Sequence, residues 1–373
     1  MRENTKIPEI KRMNKVRIAN YIFKQGHASK VDIAYSLGLS MPTVLQNIKE
    51  LVETGVVEEI GEYQSTGGRK AKTFSIVADS CYAVGVDITA HHVGLVLVDA
   101  KGMILLDRRT KKHYEDSLPY YQELCEITER FIEQNVRDTG KIIGVGVSIP
   151  GIIDRQQEIL IQSHALKVSN VSLKKMHQFL PYRLKFDNDA NCAAYTELSS
   201  ENRNVIYLSL NNTVGGAIIY NGKLLEGDNF KSGEFGHMII VPDGKRCYCG
   251  KTGCVDCYCS ALVLSSHTDG NLERFFDRLK NGDPVLRQVW DQYLQYLALT
   301  VSNLRMVFDC DIILGGYVGG YVQDYLIELN QLVMELNKFD YDASYIRCGK
   351  YQMAASAYGI AMRFIQQFYE TLK

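Results

Sequence analysis

Residues 81–109 read CYAVGVDITAHHVGLVLVDAKGMILLDRR. Three short apolar runs, CYAVGVDI, VGLVLVD and MILLD, are separated by polar or glycine-containing breaks. Runs of this length bounded by turn residues predict strand, turn, strand, turn, strand. A helical pattern follows over about 117–137, and then IIGVGVSIPG at 142–151 predicts another buried strand. Strands mixed with helices in this way predict a layered α/β domain.

Five further stretches punctuate the remainder. They are Gly146-Val147-Ser148-Ile149-Pro150-Gly151 followed by Asp154, Asp187-Asn188-Asp189-Ala190-Asn191, Leu210-Asn211-Asn212-Thr213-Val214-Gly215-Gly216, Gly233-Glu234-Phe235-Gly236-His237, and Ile313-Leu314-Gly315-Gly316. In this order, across residues 81–373, they resemble the ROK family of repressors and sugar kinases. The resemblance implies a two-lobed ribonuclease-H-like fold of the actin and hexokinase type. It also implies a sugar site made of Asn188, Asp189, Glu234, His237 and Asp256. Asp256 stands where the family has Glu, which withdraws the carboxylate by about 1.5 Å and leaves a water to bridge the gap.

Five of the ten cysteines fall within 247–259. His237, Cys247, Cys249 and Cys254 follow the spacing H-x9-C-x-C-x4-C, in a loop at about 237–260. One imidazole and three thiolates suit a closed tetrahedral structural Zn²⁺ site. An iron–sulfur cluster, which usually takes four Cys, and plain buried thiols are the alternatives. The family's zinc set has these residue types at this spacing, which implies a metal that orients His237 toward the sugar. Cys257 and Cys259 lie outside that set and read as core residues.

The parts that would hold ATP depart from the family pattern. Asp87-Ile88-Thr89-Ala90-His91 replaces D-x-G-G-T, Asn211-Asn212-Thr213 replaces Gly-Thr-Gly, and the stretch 352–359 keeps only the last glycine of D-A-G-x-x-G. Backbone glycines allow close approach to phosphate, so their loss predicts a degenerate ATP site. No catalytic residue is expected, although Asp189 occupies the position of the kinase base. His91 and His92 read as surface-loop residues, with a reach into the vacated region as the alternative.

Upstream, apolar positions Val16, Ile18, Ala19, Ile22 and Phe23 predict a first helix. Ser29, with Asp32 three residues on, caps a second, KVDIAYSL. Gly38-Leu39-Ser40 makes a turn, and Ser40 caps a third helix with Val44, Ile48, Leu51 and Val52 as its apolar stripe and Gly55 at its end. Two short helices around a glycine turn match the helix-turn-helix pattern. Val56–Ile60 and Lys72–Ile76 then predict a hairpin with a GGRK tip. Ser40, Thr43, Gln46 and Asn47 on the third helix, with Arg69 and Lys70 on the wing, are the candidate DNA contacts. Thr43-Val44 and the GGR tip resemble the winged helix of ROK repressors.

Bulk properties agree with this division. Residues 1–80 carry a formal charge of +3 and the remainder −4. No apolar run is long enough to span a bilayer, and the N-terminus has no signal-peptide core, so a cytoplasmic protein without membrane contact is expected. The expected domains are a winged helix-turn-helix at 1–79 and a sugar-kinase-like sensor at 80–373. Together they predict a sugar-responsive transcriptional regulator, a repressor of carbohydrate-utilisation genes, acting on a pseudo-palindromic operator as a homodimer or tetramer. An active sugar kinase with an accessory DNA domain, or a DNA-bound architectural protein with a vestigial cleft, are the rival readings.

Overall fold

The computed structural model describes residues 6–62, 72–198 and 204–372. The N-terminal unit has helices Lys6–Gln25, Lys30–Leu37 and Met41–Glu53. Its sheet is three-stranded, in the order His27–Ser29, Lys72–Ile76, Val57–Glu62. The edge strand His27–Ser29 has too few residues to leave a periodic signal, and it forms by pairing with Thr73–Ser75. The predicted caps are present. Ser29 and Asp32 close a reciprocal capping box, and Ser40 accepts from the Thr43 N–H. Both helix ends wrap into left-handed glycines, Gly38 (φ 63°) and Gly55 (φ 69°). In each, the next residue reaches back five positions, Leu39 to Ala34 and Val56 to Leu51. Thr54, rather than Gly55, is the residue that caps the third helix.

The large unit has two five-stranded sheets of matching layout. The first runs Leu184–Asn188, Ile142–Ile149, Tyr82–Ile88, His92–Asp99, Ile104–Lys111. The second runs Lys223–Leu224, Val214–Tyr220, Val205–Leu210, Asp311–Gly315, Ile346–Cys348. Each ends in an antiparallel pair and continues in parallel through a crossover. This repeated layout is the two-lobed architecture that the sequence predicts, with a small third sheet spanning 152–172.

The C-terminal helix Ala355–Glu370 lies on one face of the first sheet. It sits close because the sheet presents glycines there. A Cβ on Gly85 would fall 1.8 Å from the Ala357 carbonyl oxygen, and one on Gly146 would fall 2.4 Å from Ile360. Gly144 and Gly146 of GVGVSIPG therefore serve helix packing, whereas Gly151 lies against Gln162. The same helix joins the two units: Phe23 of the first helix meets Tyr369 at 5.1 Å, and the Tyr369 hydroxyl donates to Ala100 O. Ile18, Ile22, Ile76, Ala83, Val98 and Phe364 belong to one apolar cluster, so the core runs continuously across position 79.

Candidate sugar cleft, metal centre and DNA-reading helix

On the third helix, Val44, Asn47, Ile48 and Leu51 face inward. Burying each of the three apolar side chains contributes about 1.5–3 kcal/mol. Asn47 is only 2% exposed, and its amide donates to Thr43 O at 2.8 Å. This corrects its place among the DNA contacts: position 47 falls three residues after Val44 and one before Ile48, inside the stripe. Val52, expected in the stripe, is instead 41% exposed. Ser40 and Gln46 are exposed and Thr43 is half-buried, its hydroxyl 2.8 Å from the Ser40 hydroxyl. Lys49 shares the exposed face, a residue the sequence reading passed over. Arg69 and Lys70 lie outside the described residues. Gln46→Ala is expected to weaken specific operator binding by about 1–3 kcal/mol, whereas Asn47→Leu should leave it within threefold of the parent. Titrations of labelled operator would show both, and equal losses would place Asn47 back at the DNA.

A cleft of about 490 Å³, including its open mouth, separates the lobes and is lined by Gly151, Asn188, Gly215, Gly216 and Glu234 among others. Asn188 stands at the junction of strand Leu184–Asn188 and helix Asp189–Tyr195. Its Oδ1 caps that helix through Asn191 N–H, and its amide donates to Gly151 O at 2.9 Å. The Asn188 side chain also bonds the carboxylate of neighbouring Asp189. Asp189 begins the helix that Asn188 caps and lines a second, adjoining cavity. Glu234 is accessible in the cleft, and its carboxyl is pushed upward by burial and by the charge of Asp189. Gly216 lets Phe235 pack beneath this wall, since a Cβ there would fall 2.2 Å from the ring.

His237 and Asp256 line neither cavity. Asp256 is 6% exposed, its Oδ1 accepts the Val214 N–H at 2.6 Å, and the Tyr248 hydroxyl bonds it as well. Burial, partly opposed by these bonds, raises its pKa to about 6. The expected sugar contact is thus replaced by a bond that anchors the strand bearing Gly215 and Gly216. Arg155, Asp187, Glu226 and Arg363 were not anticipated as a group. Asp187 is almost wholly buried and takes Arg155 at 2.9 Å and Arg363 on one oxygen, while Asn188 N–H and Asn191 bond the other. Arg155, from the first lobe, also pairs with Glu226 of the second across the cleft mouth.

The four predicted metal ligands converge. His237 Nδ1 lies 3.8 Å from Cys247 Sγ, Cys249 and Cys254 sulfurs are 3.7 Å apart, and all four ligand atoms lie within 4.8 Å of one another. Ligands about 2.3 Å from a tetrahedral ion are about 3.8 Å apart. The cluster can therefore hold a metal ion. Tyr248 and His164, absent from the sequence reading, set their rings 5.3 and 6.0 Å from His237. Cys259 is buried and Cys257 half-buried.

The second cavity, of about 340 Å³, is lined by Asp87, Asp189, Asn211 and Tyr317 among others. Asn211 accepts the Tyr317 N–H, and Arg109 from the first lobe donates to the Tyr317 hydroxyl at 2.8 Å and to Met353 sulfur. Asp87 is buried, accepts from Ser148, and has its pKa raised to about 7 by burial and then by the charge of Asp189. Because folding disfavours its charged form, its contribution is fully present below about pH 4 and falls as pH rises to about 7. Asp87→Asn is expected to flatten the decline in melting temperature between pH 5 and 8. Parallel pH profiles would refute this. His91 stacks on His113 at the surface, 5.2 Å between centroids.

The model of the ROK family matches residues 83–367, and that of a winged helix-turn-helix DNA-binding domain matches residues 14–58. The chain belongs to the ROK family. It is 30% identical over 262 residues to the xylose repressor of Bacillus subtilis, covering 68% of this chain and 67% of that one. The fold matches a ROK-family transcriptional regulator described as a homologue of E. coli MLC, with TM-score 0.75, 21% identity and 96% coverage of both chains. A ROK glucokinase from Streptomyces griseus, solved with glucose and AMPPNP, matches with TM-score 0.62 and 22% identity over 76% of this chain and 98% of that one. This ROK protein thus joins a DNA-binding unit to the fold of the family's kinases, and among its described residues no helix is long and apolar enough to cross a membrane.

Proposed function

We propose that the protein is a sugar-responsive DNA-binding repressor, with residues 1–79 reading a pseudo-palindromic operator and residues 80–373 sensing a sugar. The observation that carries this is the union of a helix-turn-helix unit with a two-lobed cleft that keeps Asn188 and Glu234. In the adjoining cavity, Asn211 and Tyr317 form part of the wall, and Arg109 is tied to the Tyr317 hydroxyl. Kinase activity is absent in this reading, because phosphoryl transfer depends on positioning a donor, and Thr89-Ala90 and Asn211-Asn212-Thr213 lack the glycines that would hold one. The metal is zinc, held by His237, Cys247, Cys249 and Cys254 as a brace for the turn bearing Glu234. The repressor works as a homodimer or tetramer in the cytoplasm, placing two third helices in successive major grooves.

Sugar binding draws the lobes together, and the C-terminal helix carries the change. It holds Asp187 through Arg363 at the cleft and meets Phe23 of the DNA-binding unit through Tyr369. A sugar shifts operator affinity only by its differential binding to the two states. The test is operator binding of the zinc-loaded protein with a panel of sugars, alongside ADP release. One sugar should change operator affinity at least fivefold without turnover. Sustained ADP release that disappears in Asp189→Asn would establish the kinase instead.

A further inference from the structure

The charges around the sugar cleft define the kind of sugar it accepts, given that this cleft is the sensor site. Four carboxylates, Asp187, Asp189, Glu226 and Glu234, stand at or beside it. Two guanidiniums face them, and neither is disengaged. Arg363 is bound to Asp187, and Arg155 gives one terminal nitrogen to Asp187 and the other to Glu226. These four charges cancel as a cluster and leave Glu234 and Asp189 uncompensated. Lys231 lies in the field of Glu234, but it is exposed at the rim, where its attraction is screened by solvent.

A phosphate ester on a bound sugar has two directions open to it. Outward, it meets the mouth bridged by Arg155 and Glu226, where a new anion has to compete with two carboxylates already seated on the guanidinium. Inward, it passes half-buried Asp189 and approaches buried Asp87. That end is walled in part by the Tyr317 ring, which Arg109 fixes through its hydroxyl and by lying over its face at 5.3 Å. Arg109 faces both Asp87 and the ring, so its charge is already in use within the cavity. Like-charge placement of this sort is the way a site rejects a competitor that shares every other contact.

We infer that the effector is an uncharged sugar and that the cleft discriminates against sugar phosphates. The neutral hydroxyls of such a sugar match the groups that remain, since the Glu234 and Asp189 carboxylates accept hydrogen bonds from them.

Isothermal titration of the full-length, metal-loaded protein tests this with D-xylose, D-glucose, N-acetyl-D-glucosamine and their terminal phosphate esters at pH 7.5. The expected result is binding of at least one uncharged sugar, with its ester at least tenfold weaker. Raising salt from 50 to 500 mM should narrow that gap if repulsion is its source, and Glu226→Gln should narrow it as well by freeing one arm of Arg155. An ester that binds as tightly as its parent sugar or tighter, above all if Lys231→Ala removes the advantage, overturns the inference and leaves the sensor reading intact. Binding of no sugar, charged or uncharged, by a protein that still binds its operator overturns both.

Discussion

Stripping the metal from the His237, Cys247, Cys249 and Cys254 set is expected to produce the largest single loss of stability in this protein. The four ligand atoms are already within 4.8 Å of one another. Three cysteines and a histidine gathered so closely gain most from one another with a cation between them, which would add to the bonds and bridges that already hold the loop. Its internal bonds are short backbone contacts such as Cys247 N–H to Lys251 O and Gly253 N–H to Lys245 O. Metal sites in small domains supply on the order of 10 kcal/mol of folding energy. Here only one loop of a larger lobe depends on the ion, so about 5 kcal/mol is expected, or a fall in melting temperature of about 10–20 °C. Sugar binding should be lost together with the metal, because the turn Phe235–His237 directly follows Glu234. Metal analysis should give one zinc per chain, and Cys254→Ser should abolish it. Cys257→Ser, outside the set, should retain the zinc and the melting temperature. Full stability and sugar binding after complete chelation would show that the loop needs no ion.

Replacing Arg363 with Ala is expected to damage both stability and signalling. Asp187 has a side chain only 2% exposed, and it shares one oxygen between Arg155 and Arg363. Removing one partner of a buried ion pair typically costs about 3–5 kcal/mol. Arg155 remains to cover part of the charge, so about 2–4 kcal/mol is expected, read as an earlier urea midpoint with the slope unchanged. The double change Asp187→Asn with Arg363→Met removes both charges and should recover most of that stability. It should still fail to pass sugar occupancy to the operator, since it cuts the tie between cleft and C-terminal helix. A double variant with the parental sugar response would remove Arg363 from the route. An Arg363→Ala protein that unfolds at the parental urea concentration would show that Arg155 suffices for Asp187.

Much of this was legible in the chain. Caps, glycine turns and the strand runs after Cys81 depend on neighbours within a few residues, and local sterics and hydrogen bonding fix them wherever they occur. The metal set was equally readable, because its three cysteines lie within eight residues of one another and only a few loop geometries bring them to one ion. The sugar set was less so. Asn188 and Glu234 reach the cleft as expected, but a residue type at a matching position does not reveal which partner its side chain takes. Asp256 bonds Val214 N–H, 42 positions away, and Tyr248 joins it there.

What only the tertiary structure decided concerns pairs far apart in the chain. Arg363 reaches Asp187 across 176 residues and Arg109 reaches Tyr317 across 208. Neither arginine carries a local signal, because an arginine on a helix or an outer strand ordinarily reads as solvated surface. The packing of the C-terminal helix into glycines of the first sheet, and the meeting of the two lobes, turn them into parts of the cleft. The same holds for Asn47, polar by composition and buried by helical phase. The sequence by itself determined a helix-turn-helix unit and a set of four candidate metal ligands through short-range geometry, and a two-lobed fold through its resemblance to the ROK family. The charge balance of the cleft and the Arg109–Tyr317 contact at the second cavity came from the tertiary fold, since such interactions depend on distances that only packing sets.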